Sequence, residues 1–170
     1  MQRRQLMQQF QDGKYLTFSL GREDYGIPIL QVREIIGMME FTVIPKTPGY
    51  IKGVINLRGK IIPIMNLRAK FGMPEIEETE KTCIIVVEFK VNETTRPMGI
   101  IVDQVSDVVN IDECEIEKAL DYGATVDGDF LTGLGKIKER VVMILNIEKI
   151  LTTEDVISLM KNVSEQSAGV

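Results

Sequence analysis

The chain is 170 residues long, with 44% hydrophobic and 26% charged residues and a formal net charge of −5, the make-up of a globular domain able to bury a sizeable core. Histidine and tryptophan are absent, and only six Phe and four Tyr are present. That composition removes Ser-His, Cys-His and HExxH chemistry, and it offers neither a base-stacking platform nor the positive charge that attracts phosphate backbones.

From the N-terminus, MQRRQLMQQFQDGKY has no apolar core of the kind a signal peptide needs, and no run approaches the ~20 apolar residues of a membrane span. The expectation is a cytoplasmic protein with flexible ends at residues 1–12 and 164–170. β-Rich runs follow in order: YLTFSL (15–20), YGIPI (25–29), KGVINL (52–57), KIIPIMNL (60–67), TCIIVVEF (82–89), PMGIIV (97–102), FLTGL (130–134) and RVVMILNI (140–147). Short runs rich in Ile and Val, punctuated by Gly, Pro and Asn, predict small barrels or a sandwich. Runs such as VVMIL are apolar at consecutive positions, which predicts strands covered on both faces. Ile29, Val32 and Ile36 have helical spacing and predict a short helix after the second strand. A C-terminal helix is predicted over residues 152–163, from the stripe Val156, Ile157, Met160 and Val163 with Thr153 as N-cap. Cys83 and Cys114 are too widely spaced for a CxxC pair and read as reduced thiols.

Laid on itself, the sequence repeats. GIPILQVREII (26–36) matches GIIVDQVSDVV (99–109) at an offset of 73, with Gly26/Gly99, Ile27/Ile100, Gln31/Gln104 and Val32/Val105 identical. GVINLRGKIIPIMNLRAKF (53–71) matches GLGKIKERVVMILNIEKIL (133–151) at an offset of 80, with Gly53/Gly133, Ile64/Ile144 and Asn66/Asn146 identical. The copies read as halves at 13–73 and 81–151, joined by the acidic linker PEIEETE (74–80), with about seven extra residues of the second copy near 121–129.

Few motifs support chemistry. Gly53 to Lys60 resembles a phosphate-binding loop, but five residues separate its glycines and Ile61 stands where Ser or Thr is required. Asp121, Asp127 and Asp129 lack the alternating ligands and terminal Glu of a calcium loop. Glu34 and Asp107 are repeat-equivalent carboxylates, a potential acid–base pair that duplication alone explains. Asn56-Leu57-Arg58-Gly59 reads as a tight turn whose Arg58 fork suits carboxylates or backbone carbonyls of another protein.

Those residues carry a resemblance. YLTFSLGREDYGIPILQVREIIG, TVIPKTPGYIKGVINLRGKIIPIMNLRAKFG, GIIVDQVSDVV and FLTGLGKIKERVVMILNIEKIL resemble the CheW family of chemotaxis coupling proteins over residues 13–151. The domain is shared with the CheA kinase and with CheV, but a chain of this length resembles the stand-alone coupler. The resemblance implies an all-β fold of two five-stranded, SH3-like β-barrels with a groove between them, short helices and a C-terminal helix, the chain crossing between barrels. It further implies a non-catalytic adaptor without cofactor or metal, whose partners are the regulatory domain of the CheA histidine kinase and the cytoplasmic hairpin tip of methyl-accepting chemoreceptors. Carried over by position, receptor contacts would fall on Val32, Glu34, Ile35, Arg58, Val105 and Val108, and Gly53, Gly59 and Gly99 would permit close backbone approach. The kinase-binding residues are not assigned. The same resemblance extends to couplers of other pathways, such as pilus-based motility.

Overall fold

Strand formation follows the β-branched runs, and among the residues described by the computed structural model, 13–118 and 130–151, eleven strands build two sheets. In chain order they are β1 (Lys14–Leu20), β2 (Glu23–Pro28), β3 (Val32–Gly37), β4 (Ile51–Leu57), β5 (Lys60–Asn66), β6 (Cys83–Val91), β7 (Thr94–Val102), β8 (Gln104–Asn110), β9 (Ile116–Lys118), β10 (Leu131–Ile137) and β11 (Arg140–Leu145). Two short helices, α1 (Leu67–Lys70) and α2 (Ile147–Leu151), follow β5 and β11. The protein is mainly β, with two SH3-like subdomains. One sheet has the order β8-β1-β2-β11-β10-β9 and the other β3-β6-β7-β5-β4. The first has six strands instead of five, because the three-residue β9 pairs with β10. In the second sheet the corresponding edge is a single bridge between Thr42 and Val54.

The two orders become the same when β8, β1, β2, β11 and β10 are set against β3, β6, β7, β5 and β4. The N-terminal hairpin of each sequence copy has therefore been exchanged: β1 and β2 complete the sheet of β8–β11, and β6 and β7 complete the sheet of β3–β5. Register shows the duplication residue by residue. Ile144 lies beside Gly26 in one parallel pair and Ile64 beside Gly99 in the other. Asn66 N–H donates to Tyr50 O at 2.7 Å, and Asn146 N–H to Phe130 O at 2.8 Å. Each Asn side chain then accepts from the amide three residues on, Ala69 or Lys149, and caps its helix.

Three apolar cores result. Ile55, Ile62, Ile64, Ile84, Val86 and Ile101 fill one barrel, and Ile111, Val142 and Ile144 the other. The largest lies between the sheets and takes Leu16, Phe18 and Leu20 from β1, Ile85, Val87 and Phe89 from β6, and Ile147, Ile150 and Leu151 from α2. β6 and β11 feed different cores from alternate residues, which is why both are apolar at consecutive positions. The linker 74–80 is exposed throughout, and Lys52 Nζ holds Glu75 at 3.3 Å.

The structure corrects one predicted element. Ile29, Val32 and Ile36 do not form a helix: residues 29–31 make a single 3₁₀ turn and Val32 begins β3. Helical spacing arose from two irregularities in succession. The turn brings Ile29 and Val32 to the shared core, and a bulge at Arg33 resets the strand alternation. Ile36 points the other way, into its own barrel. Strands β8 and β9 had no counterpart among the predicted runs. The extra segment near 121–129, the predicted helix at 152–163 and both chain ends lie outside the described residues.

Candidate functional site

β3 and β8 are repeat-equivalent strands, each the outer strand of its sheet, and each carries one bulge. On β3 the bulge makes Val32 and Ile35 the partners of Val87 and Ile85, residues of the shared core, while Glu34 and Ile36 pair with Val86 and Ile84 on the barrel-interior face. On β8 the same two-face split recurs: Val105 and Val108 pair with Phe18 and Leu16, while Asp107 and Val109 pair with Thr17 and Tyr15. A bulge resets the alternation by one residue, so in both strands residues three apart share a face. Val32 and Val105 pack against the margin of the same shared core. Ile35 and Val108 extend beyond it and are 45% and 46% exposed, large β-branched surfaces with no cover of their own.

Glu34 looks the opposite way and meets Arg58. The β4–β5 hairpin closes through a two-residue turn, Arg58-Gly59, with φ of 51° and 87°, the pattern of a type I′ turn. Arg58 itself thus occupies a left-handed position, and Asn56 supports it from outside by accepting the Gly59 N–H at 2.9 Å. β3 and β4 are at opposite edges of the sheet order, so the Arg58–Glu34 ion pair spans the mouth of the barrel. The hydrogen bond from Arg58 holds the Glu34 carboxyl below the usual carboxylate range, and Glu34 in turn raises Arg58. Arg58 remains 70% exposed in its side chain, so most of its fork is presented to solvent.

A depressed carboxyl pKa means that the pair is intact above the unfolded-state value and is lost as pH falls through the lower folded value. The Glu34 carboxyl carbon should therefore titrate, by NMR, below the ~4.3 of an unperturbed glutamate, and Arg58→Ala should return it there. A midpoint at or above that reference in the wild-type protein would contradict the pairing.

Three glycines accompany these residues for different reasons. A Cβ on Gly53 would stand 2.1 Å from Thr42 O, and one on Gly99 2.7 Å from Ile84 Cγ2. Both are sites of close approach. Gly59 is not, because among the described residues no atom beyond its chain neighbours lies within 4 Å of a Cβ placed there; its requirement is the left-handed turn.

Acid–base use of Glu34 with Asp107 does not fit this arrangement. The two carboxylates are in different sheets and each is engaged, Glu34 with Arg58 and Asp107 with the Val108 N–H at 2.8 Å. The depression of Glu34 is also opposite to what a general acid at neutral pH requires. No group of three metal-ligating side chains occurs among the described residues. Both cysteines are free, and burial raises the Cys83 thiol.

One polar group has no counterpart among the residues predicted from sequence. Arg68, in α1, is only 9% exposed, and its Nη1 donates to Asp103 Oδ2 at 2.6 Å. Asp103 stands at the position equivalent to Leu30 of the first copy. An acid replacing an apolar residue between otherwise similar repeats is the signal that marks it.

A family model described as the CheW-like domain matches residues 14–155. The chain belongs to the CheW family. It is 43% identical over 152 residues to the chemotaxis protein CheW of Klebsiella aerogenes, covering 89% of each chain. It is 34% identical over 142 residues to the chemotaxis protein CheW of Bacillus subtilis, covering 83% of this chain and 88% of that one. Among solved structures it is similar to the scaffolding protein TtCheW of Thermoanaerobacter tengcongensis, with a TM-score of 0.74 and 35% identity over 84% of this chain and 94% of the other. The CheW-like match spans both sheets, so the exchanged-hairpin architecture lies within the family domain.

Proposed function

We propose that this protein is a non-catalytic scaffold of bacterial chemotaxis that binds the cytoplasmic hairpin tip of membrane chemoreceptors and the regulatory domain of the CheA histidine kinase. It works in the cytoplasm, recruited to receptor arrays at the inner membrane face; no helix among the described residues is long and apolar enough to cross a membrane. Family membership supports the scaffold role. The observation that carries the receptor assignment is the pair of equivalent strands β3 and β8, which turn Val32, Ile35, Val105 and Val108 toward one shared core and leave Ile35 and Val108 exposed.

Such a surface suits helix-in-groove recognition, in which apolar residues at helical spacing supply the buried area. Arg58, held by Glu34 at the barrel mouth on the other face of β3 yet largely exposed, offers a planar donor to carboxylates or carbonyls of the receptor hairpin beside this surface. Individual contacts need be no tighter than about −8 kcal/mol, micromolar, because an array multiplies them.

Arg58→Asp should weaken binding of a receptor hairpin-tip fragment at least tenfold, about 1.4 kcal/mol, while thermal stability and kinase-domain binding change little. Titration calorimetry with both partners reads this directly. Unchanged receptor affinity, or equal loss toward both partners with the fold intact, would remove Arg58 from the receptor surface.

A further inference from the structure

Among the described residues the chain passes between the two sheets twice, and the two passages are built differently. From β2 to β3 it uses the 3₁₀ turn Ile29–Gln31, where Leu30 is 48% exposed and no side-chain hydrogen bond caps the turn; among the described residues its ties are apolar, Ile29 and Val32 packing against the shared core. From β7 to β8 the passage is a single residue, Asp103, the repeat equivalent of Leu30. Its Oδ2 accepts from the Gly21 N–H at 2.7 Å and from Arg68 Nη1 at 2.6 Å, and its own N–H donates to Ser19 O at 3.2 Å. Arg68 Nε donates in addition to Pro74 O at 3.0 Å.

One carboxylate thus joins the β1–β2 turn of the first sheet to the helix that follows β5 of the second. The Asp103 and Arg68 side chains are 20% and 11% exposed, so these charge-assisted bonds are shielded from water. Val105 lies two residues beyond Asp103 and Val108 five, on a short strand that, among the described residues, pairs with β1 alone. Gly21, at φ +63°, presents its amide from a turn that a residue with a side chain adopts only under strain.

We infer that the Asp103–Arg68 clasp is a positioning device that makes β8 the fixed wall of the partner-binding groove, while β3, entered through a passage held by apolar packing without a polar clasp, is the wall that adjusts when a helix docks. This inference rests on the receptor-binding reading above. Asp103 and Arg68 act through Val105 and Val108 and need not touch the partner.

The test has two arms, on the full chain. In the first, hydrogen exchange compares wild type with Asp103→Asn and with the milder Arg68→Lys, which keeps the charge but not the fork. Exchange at residues 103–108 should rise at least tenfold in Asp103→Asn and less in Arg68→Lys, with residues 84–87 of β6 unchanged; in the wild type, 29–33 should exchange faster than 102–106. A uniform rise across both sheets, or no rise at 103–108, would overturn the inference. In the second arm, a double-mutant cycle on binding of a receptor hairpin-tip fragment compares Val108→Ala and Ile35→Ala with and without Asp103→Asn. The Val108→Ala loss should shrink at least threefold in the Asp103→Asn background while the Ile35→Ala loss is retained. Full additivity at Val108 would overturn the inference. If the wild-type protein binds no hairpin tip, the receptor reading fails and the exchange arm alone decides the clasp.

Discussion

Gly53→Ala is expected to destabilise the protein by about 4 kcal/mol, from two lost hydrogen bonds at ~1 kcal/mol each and backbone strain of 1–3 kcal/mol. Gly53 has φ +144°, a region that residues with a side chain rarely enter, and the added carbon would stand 2.1 Å from Thr42 O and 2.8 Å from Thr42 C. Both obstacles are backbone, so relief requires moving the segment that exchanges bonds of 2.8 and 2.9 Å with Val54. For a chain of this size the loss corresponds to a fall in Tm of roughly 8–16 °C. Gly133→Ala should also destabilise, by the close approach alone, because its Cβ would meet Glu117 O at 2.5 Å, the repeat-equivalent contact, but Gly133 has no positive φ. Gly59→Ala, in open space at φ +87°, should cost only about 1 kcal/mol. Thermal unfolding of the three variants checks the order; Gly59→Ala as damaging as Gly53→Ala would contradict the close-approach explanation.

The second large effect concerns the exchanged hairpins. Cleavage at an engineered protease site within residues 76–78 should leave the two pieces associated, whereas neither piece expressed alone should show a cooperative thermal transition. Each sheet needs strands from both sides of the linker, and the largest core draws on β1, β6 and α2 together. A fragment ending before the linker would retain β3–β5 without the β6–β7 hairpin that fills out their sheet, and β1–β2 without β8 and β11. The linker is exposed along its length, and its contacts through Pro74 with Arg68 and through Glu75 with Lys52 precede the cut and stay within one piece. Mixing the separately prepared pieces should restore native circular dichroism. A half that folds alone with a sharp transition would contradict the single cooperative unit inferred from the shared core.

Much of this architecture is readable before any coordinates. The eight β-branched runs coincide with strands to within a few residues, because apolar stretches bounded by Gly, Pro and Asn have few other solutions in a chain of this composition. The repeat is also legible, and the register of Ile64 beside Gly99 and Ile144 beside Gly26 is its structural form. β3 and β8 were obscured for a physical reason: a bulge in each shifts the two-residue alternation, and before β3 the 3₁₀ turn adds to it, so Ile29, Val32 and Ile36 sit at a spacing that imitates a helix. β8 is also mostly exposed and carries Ser106 and Asp107, which dilute its apolar signal. Of the site, Arg58 at a turn tip follows from sequence, but its partner Glu34 does not, since only barrel closure brings opposite sheet edges together. Arg68 lay in LRAKF without a pattern to mark it as buried; its burial depends on Asp103, 35 residues further along.

The most direct measurement of the central claim is co-sedimentation of the purified protein with receptor-containing membranes, with and without the kinase regulatory domain. Recovery of the protein with the membranes, co-recovery of the kinase domain only when the protein is present, and a marked loss of both with Arg58→Asp are the predicted results. Absence of the protein from the membrane pellet, with or without the kinase domain, would contradict the proposal that it couples receptors to the kinase.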